Sequence, residues 1–160
     1  MIQPCEAACS APYSIVLWGA SFEETVAVIF IAAFRQAGLP VQVIGLIGTQ
    51  AAGAHGLALH PDLSLSDGMP LASQTLCVLI PCNATVTRRI ENDPRVVTFF
   101  AEAASNGALF IVSDRDVIAM TSLQSLAIPP THILTYATHQ NLIELAQAVA
   151  LRLKVHTHSN

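Results

Sequence analysis

Charge is scarce in this chain. Only 11% of its 160 residues are Asp, Glu, Lys or Arg, against 52% hydrophobic, so much of the surface must be covered by something other than charge. A protein partner is the natural candidate. The seven basic residues are scattered, with Arg88-Arg89 the only adjacent pair, and the net charge is −4. No basic stripe tracks a phosphate backbone, which excludes nucleic-acid binding by this chain alone. Long apolar runs are lacking too. The longest, Val26 to Phe34, falls far short of the ~20 residues a membrane helix needs, and it is flanked by Glu23-Glu24 and Arg35. The opening stretch "MIQPCEAACSAP" has neither a basic start nor an apolar centre, so a signal peptide is not expected and a cytoplasmic location is the default.

Metal-ligand spacing is also missing. Cys5, Cys9, Cys77 and Cys82 form no familiar pattern. Cys5 and Cys9 would meet a metal only with His156 and His158, if the two ends of the chain came together; two disordered tails are the plainer expectation. Cys77, inside "TLCVLIP", reads as core, and Cys82 is the cysteine placed where chemistry can occur. No metal or cofactor is expected.

What is present is an alternation of apolar strands and helices in a length of one domain. Strands are expected at 14–19, 41–48, 75–81, 109–112 and 132–137. Helices are expected at 21–38, 92–107 and 139–154, with a short helical stretch after Ser113 and a small hairpin at 49–60. Ser21 reads as the cap of the first helix, with Glu24 at its third position and Gly38 and Pro40 as its stop. Asp93 caps the second, ahead of Pro94. Near-continuous apolar strands joined by helices require a parallel sheet covered on both faces, hence a three-layer, doubly wound, flavodoxin-like α/β sheet. Residues 13–154 form this domain, with flexible tails at 1–12 and 155–160. Ligands in such folds bind beyond the carboxyl ends of the strands, which directs attention to Gly19–Glu24, Pro81–Ala84, Ser113–Asp116 and Thr138-His139.

Those segments resemble a known family. "GASFEETV" with its acidic residue Glu24, "LALHPDLSLSD" after the hairpin, a strand ending in Pro81, "RRIENDPRVVTFFAEAASNGAL" and the strand-to-helix elbow at "GALFIVSD" are together similar to the ThiJ/PfpI, or DJ-1-like, superfamily, over roughly residues 13–154. The resemblance implies the class I glutamine amidotransferase-like fold. It also implies a site in which an elbow cysteine, its pKa lowered by a helix terminus, hydrogen-bonds to the acidic residue on the first helix. Ser113 stands at that cysteine position and Glu24 at the acidic one. The Pro-Gly-Gly oxyanion loop of the family corresponds to Pro81-Cys82-Asn83, with side chains at both glycine positions. The stretch after the elbow, "VIAMTSLQSLAIPPT", has no histidine.

A serine hydroxyl does not replace a thiolate, because it is un-ionised at neutral pH and needs an oriented base. The expectation is therefore a catalytically degenerate domain acting by protein or small-ligand binding, with a vestigial site at Glu24 and Ser113 and binding residues Glu24, Cys82, Asn83, Ser113 and Asp114. Ser113 is expected to cap the following helix through the amides of Arg115 or Asp116. Two enzyme readings stand beside it: a small hydrolase pairing Ser113 with His139, oriented by Asp114 or Glu24 but lacking Gly-x-Ser-x-Gly, and a redox or aldehyde-handling enzyme using Cys82. His55 and His60 read as surface histidines, Trp18 as packing under the first helix or flooring a ligand site, and Arg88, Arg89 and Arg95 as a solvated face or a small anion-attracting patch. Helix 22–37 carries "VAVIFIAAF", apolar all round, which predicts a homodimer through it, since the final helix is expected elsewhere on the sheet.

Overall fold

The structure, a computed structural model, describes residues 12–46 and 49–159. The strands are β1 (Tyr13–Trp18), β2 (Val41–Gly45), β3 (Ala51–Ala52), β4 (Ala58–Leu59), β5 (Leu63–Ser64), β6 (Thr75–Leu79), β7 (Leu109–Val112) and β8 (Ile133–Thr135). The helices are α1 (Glu24–Gln36), α2 (Leu65–Gly68), α3 (Ala84–Ile90), α4 (Pro94–Ser105), α5 (Arg115–Met120) and α6 (Leu142–Thr157), with 3-10 turns at 69–74, 122–126 and 130–132. Six strands form one sheet in the order β5-β2-β1-β6-β7-β8, every pair parallel. β3 and β4 form a separate antiparallel hairpin.

This order determines the layers. The chain moves from β1 outward to β2 and then crosses back to β6, β7 and β8, so right-handed crossovers place α1 on one face and α4 and α5 on the other. α6 then packs beside α1, while α4 packs on β6 and the 69–74 turn. Ile15, Val16, Leu17 and Trp18 of β1 and all four residues of β7 are buried, as strands covered on both faces must be. The core is built on aromatic rings: Trp18 stacks on Phe22 with centroids 4.3 Å apart, and Phe100 meets Phe110 edge-on at 6.1 Å. No helix among the described residues is long and apolar enough to cross a membrane.

Several boundaries differ from the sequence reading for local reasons. Ser21 does not cap α1. It sits at φ 69° in a left-handed turn whose amide donates to the Ala52 carbonyl at 2.8 Å, and Glu23 is the N-cap, leaving Glu24 as the first helical residue. Gly38 does stop the helix, at φ 78°. Asp93 caps α4 as expected, accepting the Arg95 amide at 3.0 Å. Asn141 starts α6 three residues late by accepting the amides of Ile143 and Glu144, and α6 runs to Thr157, beyond the expected domain end. The premise of a bare α1 also needs correction, because α6 covers one flank of it.

Candidate functional site

The sheet reverses its strand order between β1 and β6, and the carboxyl ends of these strands carry Gly19 and the Pro81-Cys82-Asn83 loop. Two adjacent acids enter there from the start of α1, and they part company. Neighbours at a helix start point about 100° apart. Glu24 turns to the hairpin, where its carboxylate accepts the amides of His55 at 2.7 Å and Leu57 at 3.2 Å and meets His55 Nδ1 at 3.1 Å. Only 4% of Glu24 is exposed. Burial alone would raise its pKa, but its own backbone amide, the His55 ring and the His55 and Leu57 amides outweigh that effect and hold it down to about 2. Gly53 is required above it, since a Cβ there would land on the Glu24 carboxyl. His55 is thus a hairpin anchor, although its side chain is 85% exposed; His60 bonds only to the Pro61 carbonyl.

Glu23 turns the other way. Its Oε2 accepts the Tyr136 hydroxyl at 2.8 Å, and its amide donates to the Pro81 carbonyl at 2.7 Å, fastening α1 to the ends of both β6 and β8. Tyr136 is 2% exposed, one residue beyond β8, with its ring 6.5 Å from Phe30. Burial, with the Glu23 charge beside it, pushes the phenol well above its ordinary range, so it remains a donor. Sequence reasoning missed both residues. The double acid "EE" was visible, but which of the two faces the sheet depends on where the helix starts, and Tyr136 was absorbed into an apolar strand.

Ser113 follows β7 directly and is 3% exposed. Its Oγ donates to Asp114 Oδ2 at 3.1 Å, and its carbonyl accepts the Ala137 amide. The cap of α5 is Asp114, not Ser113: Asp114 Oδ1 accepts the amides of Asp116 and Val117 at 2.9 and 3.3 Å. A nucleophile elbow holds its residue on a strained turn that thrusts it outward. Ser113 is not among the non-glycine residues at positive φ, which are Ser21 and Ala127 among those described. No hydrogen bond joins Ser113 to Glu24, nor to His139, which is exposed.

Cys82 is fully buried, as is Cys77. Burial pushes the Cys82 thiol up to about 12, despite a hydrogen bond from the Gly19 amide. Asn83 caps α3, its side chain accepting the Val86 amide at 2.9 Å. Arg95 is held by Asp93, while Arg88 is exposed on α3. His156 bonds to the Arg152 carbonyl within α6, and His158 at the helix end to that of Lys154; Cys5 and Cys9 lie outside the described residues. No group of three or more His, Cys, Asp or Glu among the described residues is arranged to hold a metal.

No protein-family model matches the sequence, and no curated protein matches it. Solved structures do. An oxidized DJ-1 from Toxoplasma gondii matches with a TM-score of 0.70 at 17% identity, covering 91% of this chain and 97% of that one. A cysteine-to-alanine variant of a DJ-1 superfamily protein from Salmonella typhimurium also gives 0.70, at 15% identity over 90% and 91% of the two chains. The fold is that of the DJ-1/ThiJ/PfpI superfamily. A ThiJ/PfpI domain protein from Brachyspira murdochii repeats the likeness, with a TM-score of 0.69 at 14% identity over 91% of this chain and 98% of that one. On this fold Tyr136, bonded to Glu23, lies beside the end of β7, its amide donating to the Val112 carbonyl at 3.0 Å.

Proposed function

We propose that this is a catalytically degenerate DJ-1/PfpI-like domain that acts in the cytoplasm by binding a protein or a small ligand, in a regulatory or scaffolding role. One observation carries the reading: the elbow is closed. Ser113, Cys82 and Tyr136 are all buried, the serine hydroxyl is engaged by Asp114, and the acid of α1 that reaches toward β8 is taken by Tyr136. The state of the residues needed for the two alternative chemistries supports this reading over them. A hydrolase needs His139 against Ser113, and a redox enzyme needs a thiol near its ionised form, whereas Cys82 is held up at about 12. Treatment with a fluorophosphonate followed by intact mass spectrometry tests this. The expected outcome is no adduct under conditions that label a serine hydrolase fully; a stoichiometric adduct on Ser113, lost in His139→Ala, would establish the hydrolase instead.

A homodimer through α1 belongs to the same proposal. α6 covers one flank of that helix, yet Val28 remains 45% exposed, and Ile31 is only partly covered. Light scattering is expected to give twice the 17.0 kDa chain mass, and half that for Val28→Glu. A well-folded wild-type monomer removes the dimer from the proposal.

A further inference from the structure

We propose that a cavity at the carboxyl ends of β1 and β2 binds a small organic anion, an apolar body bearing one carboxylate, with Arg89 as its cationic anchor. The inference deepens the binding reading above and rests on it. The cavity measures about 370 Å³ and is walled by Trp18, Leu46, Ile90 and the hairpin residues Ala51 and Ala52, with Arg89 on α3 the charged residue among them. It lies beside the β1–β6 reversal, the place where sheets of this kind take their ligands.

Two features define the ligand. The walls are mostly apolar, with Thr49 and Gln50 the uncharged polar side chains among them, which suits a hydrocarbon body and not a fully hydrated inorganic ion. Arg89 brings an uncompensated charge. Arg35 is paired with Asp62 and Arg95 with Asp93, but Arg89 donates only to a neutral carbonyl, that of Ala20, at 3.1 Å. This bond steadies the guanidinium and leaves its other N–H groups for an oxyanion, whose two oxygens match the fork. No acidic residue lines the cavity. One cation balances a carboxylate; a doubly charged phosphate would keep excess charge against apolar walls. The hairpin wall is held by Glu24 and by the Ser21–Ala52 bond, so the Glu24 contacts to the hairpin also shape this site.

Trp18 is the sole tryptophan, so its emission reports on the cavity directly. Titration of the full chain with hexanoate, hexyl phosphate and hexanamide, excited at the tryptophan band, is expected to give a saturable shift with hexanoate, a weaker one with hexyl phosphate and none with hexanamide. Arg89→Gln is expected to weaken hexanoate roughly ten-fold or more. Arg35→Gln, altered beside the other groove that Trp18 borders, should leave it unchanged. A hexanoate response that survives Arg89→Gln, an equal response to hexanamide, or no response to either anion overturns the proposal; tighter binding of hexyl phosphate overturns the choice of carboxylate. Absent anion binding with Ser113 unlabelled by fluorophosphonate removes this site alone. Arg89-dependent binding with Ser113 labelled removes the degenerate reading alone.

Discussion

Replacing Tyr136 by Phe tests whether the elbow is sealed in the way described. The substitution keeps the ring against Phe30 and removes only the hydroxyl, which is 2.8 Å from Glu23 Oε2. Hydrogen bonds to a charged partner contribute about 1.5–3 kcal/mol. Glu23 is itself partly exposed, so water can serve the freed carboxylate, and the lower end, about 1.5 kcal/mol, applies. For a chain of this size that is a fall in Tm of about 3–6 °C. Thermal and urea unfolding of Tyr136→Phe, Glu23→Gln and the double variant complete a cycle in which the coupling should be about 1 kcal/mol. The tyrosine also imposes a pH signature. Its pKa is raised in the fold from the ordinary 10, so its contribution is present below pH 10 and declines above it, where the unfolded chain ionises and the folded one does not. Tyr136→Phe should lose that alkaline decline. Stability within about 0.5 kcal/mol of wild type, with zero coupling, would show that Tyr136 does not close the site.

The other predictions concern the hairpin and the thiols. Glu24 has its pKa lowered from 4.5 to about 2, so its stabilisation is complete above pH 4.5 and lost as the pH falls toward 2; protection of the His55 and Leu57 amides from exchange, relative to the unfolded chain at the same pH, should fall over that window in wild type and be low throughout in Glu24→Ala. Gly53→Ala places a methyl group on the Glu24 carboxyl and is expected to lower stability by about 1–3 kcal/mol, read by urea unfolding, whereas an unchanged midpoint would mean the hairpin does not bear on Glu24. Iodoacetamide at neutral pH should modify neither Cys77 nor Cys82 in the folded protein and both after unfolding, because both are buried; rapid alkylation of Cys82 would contradict its packing against Gly19.

The layered sheet was legible because its signals are local and redundant: β1 and β7 are apolar on both faces, Gly38 and Asp93 act within a turn of their own helices, and their order leaves one topology. The short pieces were not. β5 and α2 span two and four residues, too few for any periodicity, and α3 is hidden because "ATVTRRI" carries little apolar spacing and its Asn83 cap was read as part of an oxyanion loop. The position of Cys82, Ser113 and Tyr136 after strand ends was legible, but their contacts were not. Ser113 and Asp114 are both good caps in sequence, and only the extended backbone of Asp114 decides between them. Glu24 was singled out through the resemblance, while its partners lie 31 and 33 residues away on a hairpin that sequence alone cannot dock. The apolar circumference of α1 was read as needing a second chain, because nothing local announces that α6 returns to its side.

Methylglyoxal consumption by the purified protein tests the proposed degeneracy most directly, since the resemblance to the ThiJ/PfpI superfamily implies chemistry at an elbow thiolate, and the proposal puts Ser113 at that position. Wild type and Ser113→Ala should be indistinguishable from each other and from the buffer background. Consumption above background by wild type, abolished in a folded Ser113→Ala variant, would contradict it.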